Sequence, residues 1–193
     1  MLRNIKIIML VLFICVCQNY TSQGQDFSKS TLKYGGGYSK YSNLNLSGEG
    51  WMLILGYQRD LWKDRLRLNP AFTVGFYSSK NTTDLPDQWF NALNLETILF
   101  FDIIKIKAFS FTIGAGGVVN NTKGLIGTGG YPPGETNSEY FSNWNYAGLF
   151  CSGFRINPKK SRFAFDIIPL TYQIGGKYYD EVFASVGFEL KLK

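Results

Sequence analysis

Four carboxylates, Glu96, Asp102, Asp166 and Glu189, and four arginines, Arg65, Arg67, Arg155 and Arg162, share one parity of alternating stretches with glycine, serine, threonine and asparagine. Paired carboxylates can supply a general acid and a general base. In a confined interior the same eight side chains do something simpler. Each cancels an opposite charge, because an unpaired charge cut off from bulk water is costly. The rest of the composition favours this structural ion-pair network. The chain has no histidine, which removes Ser-His-Asp and Cys-His machinery, the usual zinc sites, and the side chain that titrates unaided near neutral pH. Cys151 reads as a small interior filler rather than a nucleophile. The stretches "GAGGVV" and "GTGGYPPG" superficially resemble phosphate loops, but no helix follows either. No catalytic residue, cofactor or metal ligand is expected.

The elements that carry these charges are strands. Eight stretches of period-two alternation, each about ten residues long, are divided by turn-forming clusters. The first spans Thr31 to Tyr41, with Leu32, Tyr34 and Tyr38 opposing Lys33, Gly35, Gly37 and Ser39. The second, Trp51 to Gln58, aligns Trp51, Leu53, Leu55 and Tyr57. In "RLRLNPAFTVGFYS", Leu66, Leu68, Pro70, Phe72, Val74 and Phe76 oppose Arg65, Arg67, Asn69, Ala71, Thr73, Gly75 and Tyr77. "LNLETILFFDI" sets Leu93, Leu95, Leu99, Phe101 and Ile103 against Asn94, Glu96, Phe100 and Asp102. "AFSFTIGAGGVVN" and "WNYAGLFCSGFRI" continue the series, the latter placing Cys151 and Arg155 on the polar side. The seventh stretch begins "RFAFDI", and its phase slips at Pro169, where a bulge would restore the apolar face through Leu170, Tyr172 and Ile174. The eighth runs from Val182 to the end, with Val186, Phe188, Leu190 and Leu192 opposing Gly187, Glu189, Lys191 and Lys193.

Short connections ("DLWKD", "IKIK", "NPKKS") alternate with longer ones ("SNLNLSGE", "NTTDLPDQWFN" and the run from Asn121 to Asn143), apart from a brief "GGKYYDE" on the long side. Such alternation in an even-stranded meander is the organisation of outer-membrane barrels. Aromatics fall towards strand ends: Tyr57 and Trp62 on the short-turn side, Tyr38, Trp51, Trp89, Phe90, Trp144 and Tyr146 towards the long loops. Interfacial belts have this arrangement. The polar side holds small residues interrupted by opposite charges, which suits a narrow lumen better than a solvated face.

Residues 1–24 read as a cleavable signal peptide: Arg3 and Lys6, then an apolar run from Ile7 to Cys17, then small and polar residues. The run falls short of the about 20 residues a spanning helix needs. Residues 25–193 then form one domain. It would retain Cys151 alone, leaving no partner for an internal disulfide. The net charge of +6 would fall to about +4. No basic face interleaved with aromatics marks a nucleic-acid partner.

From Thr31 to Lys193 the chain resembles the small eight-stranded outer-membrane barrels of the OmpX and OmpA-transmembrane-domain type, in their short single-domain form. It departs from them in ending Leu192-Lys193 rather than on an aromatic residue. The resemblance implies an all-β, eight-stranded antiparallel up-and-down barrel in the outer membrane of a Gram-negative-type bacterium. Its partners would be the lipid bilayer and a surface ligand or envelope protein met by the long loop. Lipid-modifying barrels of the deacylase and palmitoyltransferase types rely on histidine and do not fit. Eight strands enclose a space that side chains fill, so the expected function is structural, or adhesion and partner binding through Tyr131, Tyr140 and Phe141 of the longest loop. Two other readings stay open. One is a narrow channel, the other a secreted soluble barrel carrying an apolar ligand.

Overall fold

The computed structural model describes residues 30–43, 46–62, 65–79, 89–127, 138–176 and 179–192. The expected signal peptide and Tyr131 lie outside them. The elements in order are β1 (Ser30–Asn43), β2 (Leu46–Trp62), β3 (Leu66–Ser79), β4 (Trp89–Ile106), β5 (Phe109–Gly127), β6 (Ser138–Ile156), β7 (Phe163–Gly175) and β8 (Asp180–Lys191). Each strand pairs antiparallel with the next, and β1 closes the ring against β8 from Thr31↔Lys191 to Ser42↔Asp180. Closure pairs the strands on both sides around the ring, while the end of the β5–β6 hairpin runs past it, Ser138–Tyr146 pairing with β5 alone among the described residues.

All eight expected strands are present, and several run further towards the loop side than their alternation predicts. β2 begins at Leu46, β4 at Trp89, and the β5–β6 ladder continues to Gly127↔Ser138. The expected connection over residues 42–49 therefore shrinks to 44–45, and that over 121–143 shrinks to 128–137. The reason is physical. Towards the loops apolar and polar side chains stand on both faces, exposed Trp89 beside buried Phe90, so the pairing persists while the period-two alternation that announces it disappears.

Two prolines sit where the ladders can spare a donor. Pro70 lies in a gap of the β2–β3 pairing, between Gly56↔Ala71 and Arg59↔Leu68. At Pro169 the expected bulge is present. The β7–β8 register shifts between Ile168 and Thr171, and Pro169 and Leu170 both face outward. That extra residue keeps Asp166 and Thr171 inside the barrel although they are an odd number of positions apart. At the other end Lys107 takes a left-handed φ of 55° to close the tight turn between β4 and β5.

The outer wall carries the large apolar side chains. Trp51 (70% exposed), Leu95 (62%) and Tyr146 (69%) stand among many others. Phe90 is the exception to the expected aromatic belt, because it turns inward and is buried. The polar side of every strand lines the lumen, including Lys33, Arg67, Glu96, Asp102, Arg155, Asp166 and Glu189, all buried.

Candidate functional site

The lumen is filled in layers, and its two ends differ. At the short-turn end, strand alternation brings one charged side chain from each of β1, β3, β4, β6, β7 and β8 inward. Arg67 Nη2 donates to Asp102 Oδ1 at 2.7 Å, and Arg67 Nη1 donates to Gln58 Oε1 at 3.1 Å. The same Nη1 stands 3.8 Å from Glu189 Oε1. Arg155 holds Glu189 through Nε at 3.0 Å and Nη2 at 2.5 Å, and Gln58 Nε2 adds a third donor at 3.1 Å. Lys33 pairs with Asp166. Three cations thus meet three anions, and the set is neutral. Its packing depends on Gly187, where a Cβ would lie 2.2 Å from Asp166 Oδ1. The ring of Phe100 closes this layer, with Lys33 Nζ 5.3 Å and Arg67 Cζ 5.2 Å from its centroid. Such contacts add about 2 kcal/mol where water is excluded.

Two of the eight expected network residues are elsewhere. Arg65 and Arg162 are exposed at the short-turn end, outside the paired strands. Each has the right parity but sits beyond the ladder that would direct it inward. Glu96 also stands apart from the ion pairs. Its Oε1 accepts from Thr73 Oγ1 at 3.1 Å, and its buried Oε2 has no hydrogen-bond donor among the described residues.

Above the ion pairs lies an apolar belt, with Ile98, Leu149, Cys151 and Ile168 around Phe100 and a second group of Met52, Ile54, Ala71 and Phe183. Cys151 is an interior filler here, buried and free.

The loop-side half is held differently. Fully buried Glu181 is surrounded by neutral donors: Tyr77 OH at 2.5 Å and Ser39 Oγ at 2.7 Å on Oε1, Tyr179 OH at 2.9 Å and Asn94 Nδ2 at 3.3 Å on Oε2. Amides continue the network, Asn120 Nδ2 donating to Asn94 Oδ1 at 2.5 Å and Asn145 Nδ2 to Asn120 Oδ1 at 3.2 Å. Aromatic rings cap it. Tyr77 stacks on Phe90 with centroids 4.9 Å apart, and Tyr41 contacts Phe90 at 5.1 Å and Tyr179 at 5.4 Å. Tyr77 can fold down the lumen only because residue 75 is glycine, since a Cβ there would lie 2.4 Å from the ring. Phe141, expected as a loop contact, belongs to β6 and turns towards this cap, its ring centroid 6.5 Å from that of Phe90. Tyr140 is also a strand residue, facing outward and 63% exposed.

Glu181, Tyr77, Tyr41, Phe90 and Tyr179 are the site residues that sequence reasoning misses. Tyr77 and Glu181 carried a signal. Tyr77 has inward parity on β3, and Glu181 has it on β8 once that strand is extended past Val182. No spacing reveals that they meet across the barrel.

The ring of eight strands has solved counterparts. No protein-family model matches the chain, and no curated protein sequence matches it significantly. Among solved structures, Neisserial surface protein A superposes with a TM-score of 0.63 at 14% identity, over 87% of this chain and 100% of that one. Ail, the attachment invasion locus protein of Yersinia pestis, gives 0.54 at 14% identity, over 84% and 97%. The fold is that of the small eight-stranded outer-membrane barrels. At this level of identity the likeness is one of architecture: a closed eight-stranded meander with apolar side chains outside and polar ones within.

Proposed function

We propose that the protein is an integral outer-membrane barrel without catalytic activity, whose filled lumen maintains a rigid wall and whose loop-side rim binds a partner or surface ligand. One observation carries the membrane reading, namely that side chains are distributed inside out. Trp51, Leu53, Leu55, Leu95, Trp144, Tyr146 and Phe150 are exposed around the outer wall while Arg67, Arg155, Asp102 and Glu189 are buried. Contiguous apolar surface on this scale marks a membrane or partner contact, because in water its exposure is unfavourable. A closed barrel satisfies its backbone groups internally and can cross hydrocarbon. The same distribution speaks against a soluble carrier, and the packed side chains of the lumen speak against an open channel.

The rim reading rests on strand length. A tilted strand crosses a bilayer in about 9–11 residues, and β5 and β6 have 19 each. Their excess lies on the loop side, where Tyr140 is exposed. Ail is by name an attachment protein, and a comparable role is the reading taken here.

Two measurements separate the parts of this proposal. The protein should fractionate with outer membranes and migrate faster on gels before heating than after. Recovery of folded protein from the soluble periplasm would overturn the membrane reading. Cells displaying the protein should adhere to immobilised matrix proteins or polysaccharides, and replacing residues 125–140 by a two-residue Asn-Gly turn should abolish that adherence while heat-modifiable migration persists. Unchanged adherence would remove the hairpin from the function and leave the barrel in place.

A further inference from the structure

The β5–β6 hairpin outruns its neighbours. β7 stops at Gly175, opposite Ala147, so from Tyr146 back to Ser138 the strand β6 pairs with β5 alone among the described residues. The ladder shows which backbone groups are left over. Asn157 N donates to Ala108 O at 2.6 Å, one step beyond the Phe109↔Ile156 pair, and the register then runs without a shift to Gly127↔Ser138. Opposed residues in an antiparallel pair alternate between bonded and non-bonded. Odd-numbered residues of β6 therefore bond to β5, while even-numbered ones turn N–H and C=O to the other side. Within the barrel that side is β7. Beyond Ala147 it is open, and Tyr140, Ser142 and Trp144 present donors and acceptors there with no strand against them among the described residues. Natural proteins blunt such edges with lysine, proline or a bulge. Ser138–Tyr146 holds none of these, and its one charge is Glu139.

We propose that this edge docks an extended segment of another protein, which adds to β6 as a further strand. The inference rests on the reading that the loop-side rim binds a partner, and it states how the partner is held. A row of alternating donors and acceptors is complemented by another strand, whose main chain supplies the affinity. A second copy in the same membrane does not supply that strand. Two such copies are related by an axis along the membrane normal, and strands tilted from it by about 35–45° cross one another at about 70–90°, too steeply to form a ladder. A segment reaching in from the loop side is free to align. The side chains of the same even-numbered residues set its pattern. Tyr140 and Trp144 are 63% and 61% exposed on the outer face, where they offer cross-strand contacts to apolar residues at alternate positions of the added strand.

The test uses the complete mature barrel refolded in detergent and a fluorescein-labelled peptide of the same length as Ser138–Tyr146, alternating threonine with valine and carrying a lysine at each end. Binding is read by fluorescence anisotropy. Ser142→Pro deletes an outward donor at the centre of the edge and spares the β5 ladder, because the Ser142 N–H is not bonded to it; proline is tolerated at such a position. It should weaken the peptide about tenfold while heat-modifiable migration persists. Ser142→Ala keeps the N–H and should bind as the wild type does. If Ser142→Pro does not fold, Tyr140→Pro, nearer the hairpin tip, replaces it with the same expectation. A wild-type barrel that fails to bind the peptide overturns the proposal, and so does binding that survives the proline variant. Equal weakening by Ser142→Ala also overturns it, since the contact would then be made by the side chain. Adherence lost on replacing the hairpin, with peptide binding indifferent to proline, would sink the edge and leave the rim reading standing.

Discussion

The short-turn and loop-side halves of the lumen solve one problem by different means. Each must bury carboxylates inside a tube that side chains fill. The short-turn half does it with opposite charges, Arg155 and Arg67 around Glu189 and Lys33 against Asp166. The loop-side half does it with neutral donors, placing two tyrosine hydroxyls, a serine and an asparagine around Glu181. The difference teaches that the inward charge of a small barrel need not be paired with charge. Hydrogen bonds to an ionised acceptor are each worth about 1.5–3 kcal/mol, and several together replace a cation.

The comparison can be broken most severely at Arg155. Arg155→Ala leaves Glu189, fully buried, with Gln58 and a guanidinium 3.8 Å away. Leaving a buried charge without its partner costs about 3–5 kcal/mol. The urea midpoint of the refolded barrel in lipid vesicles should fall accordingly. A loss below about 1 kcal/mol would mean that this end is hydrated and its pairs weak.

The loop-side half responds more gently. Tyr77→Phe removes one of several donors to Glu181 and should cost about 1–3 kcal/mol, with Glu181→Gln somewhat more. Because the two groups share a hydrogen bond, the double variant should lose less than the sum of the singles, with a coupling of about 0.5–3 kcal/mol. Strict additivity in the same urea titrations would show that Tyr77 acts through ring stacking on Phe90 alone.

The smallest effect sharpens the boundary of the network. Arg65→Ala and Arg162→Ala should each change stability by less than about 0.5 kcal/mol, since both side chains are exposed at the barrel end. A loss comparable with that of Arg155→Ala would place them in the network after all.

Much of this was readable from the chain. The parity of Arg67, Asp102, Arg155, Asp166 and Glu189 announces that they share a face, because a strand reverses its side chains at every residue. The slip at Pro169 announces a bulge, because no other device restores phase. Arg65 and Arg162 mislead by the same logic, since parity has no meaning beyond the last paired residue. Phe90 misleads because an aromatic residue near a strand end fits a belt as well as a cap, and Phe141 because β6 pairs with β5 back to Ser138, through a stretch that reads as loop. Only the ladder shows that both turn inward.

The sequence by itself determined the number of strands, which side of each is apolar, and which titratable groups are absent. These are local properties, set by alternation and composition along one segment at a time. Tertiary structure alone decided who meets whom. Glu181 reaches Tyr77 across 104 positions of chain and Lys33 reaches Asp166 across 133, because ring closure and strand stagger set the height of every inward side chain. That height makes one end of the lumen a set of ion pairs and the other a carboxylate held by neutral donors.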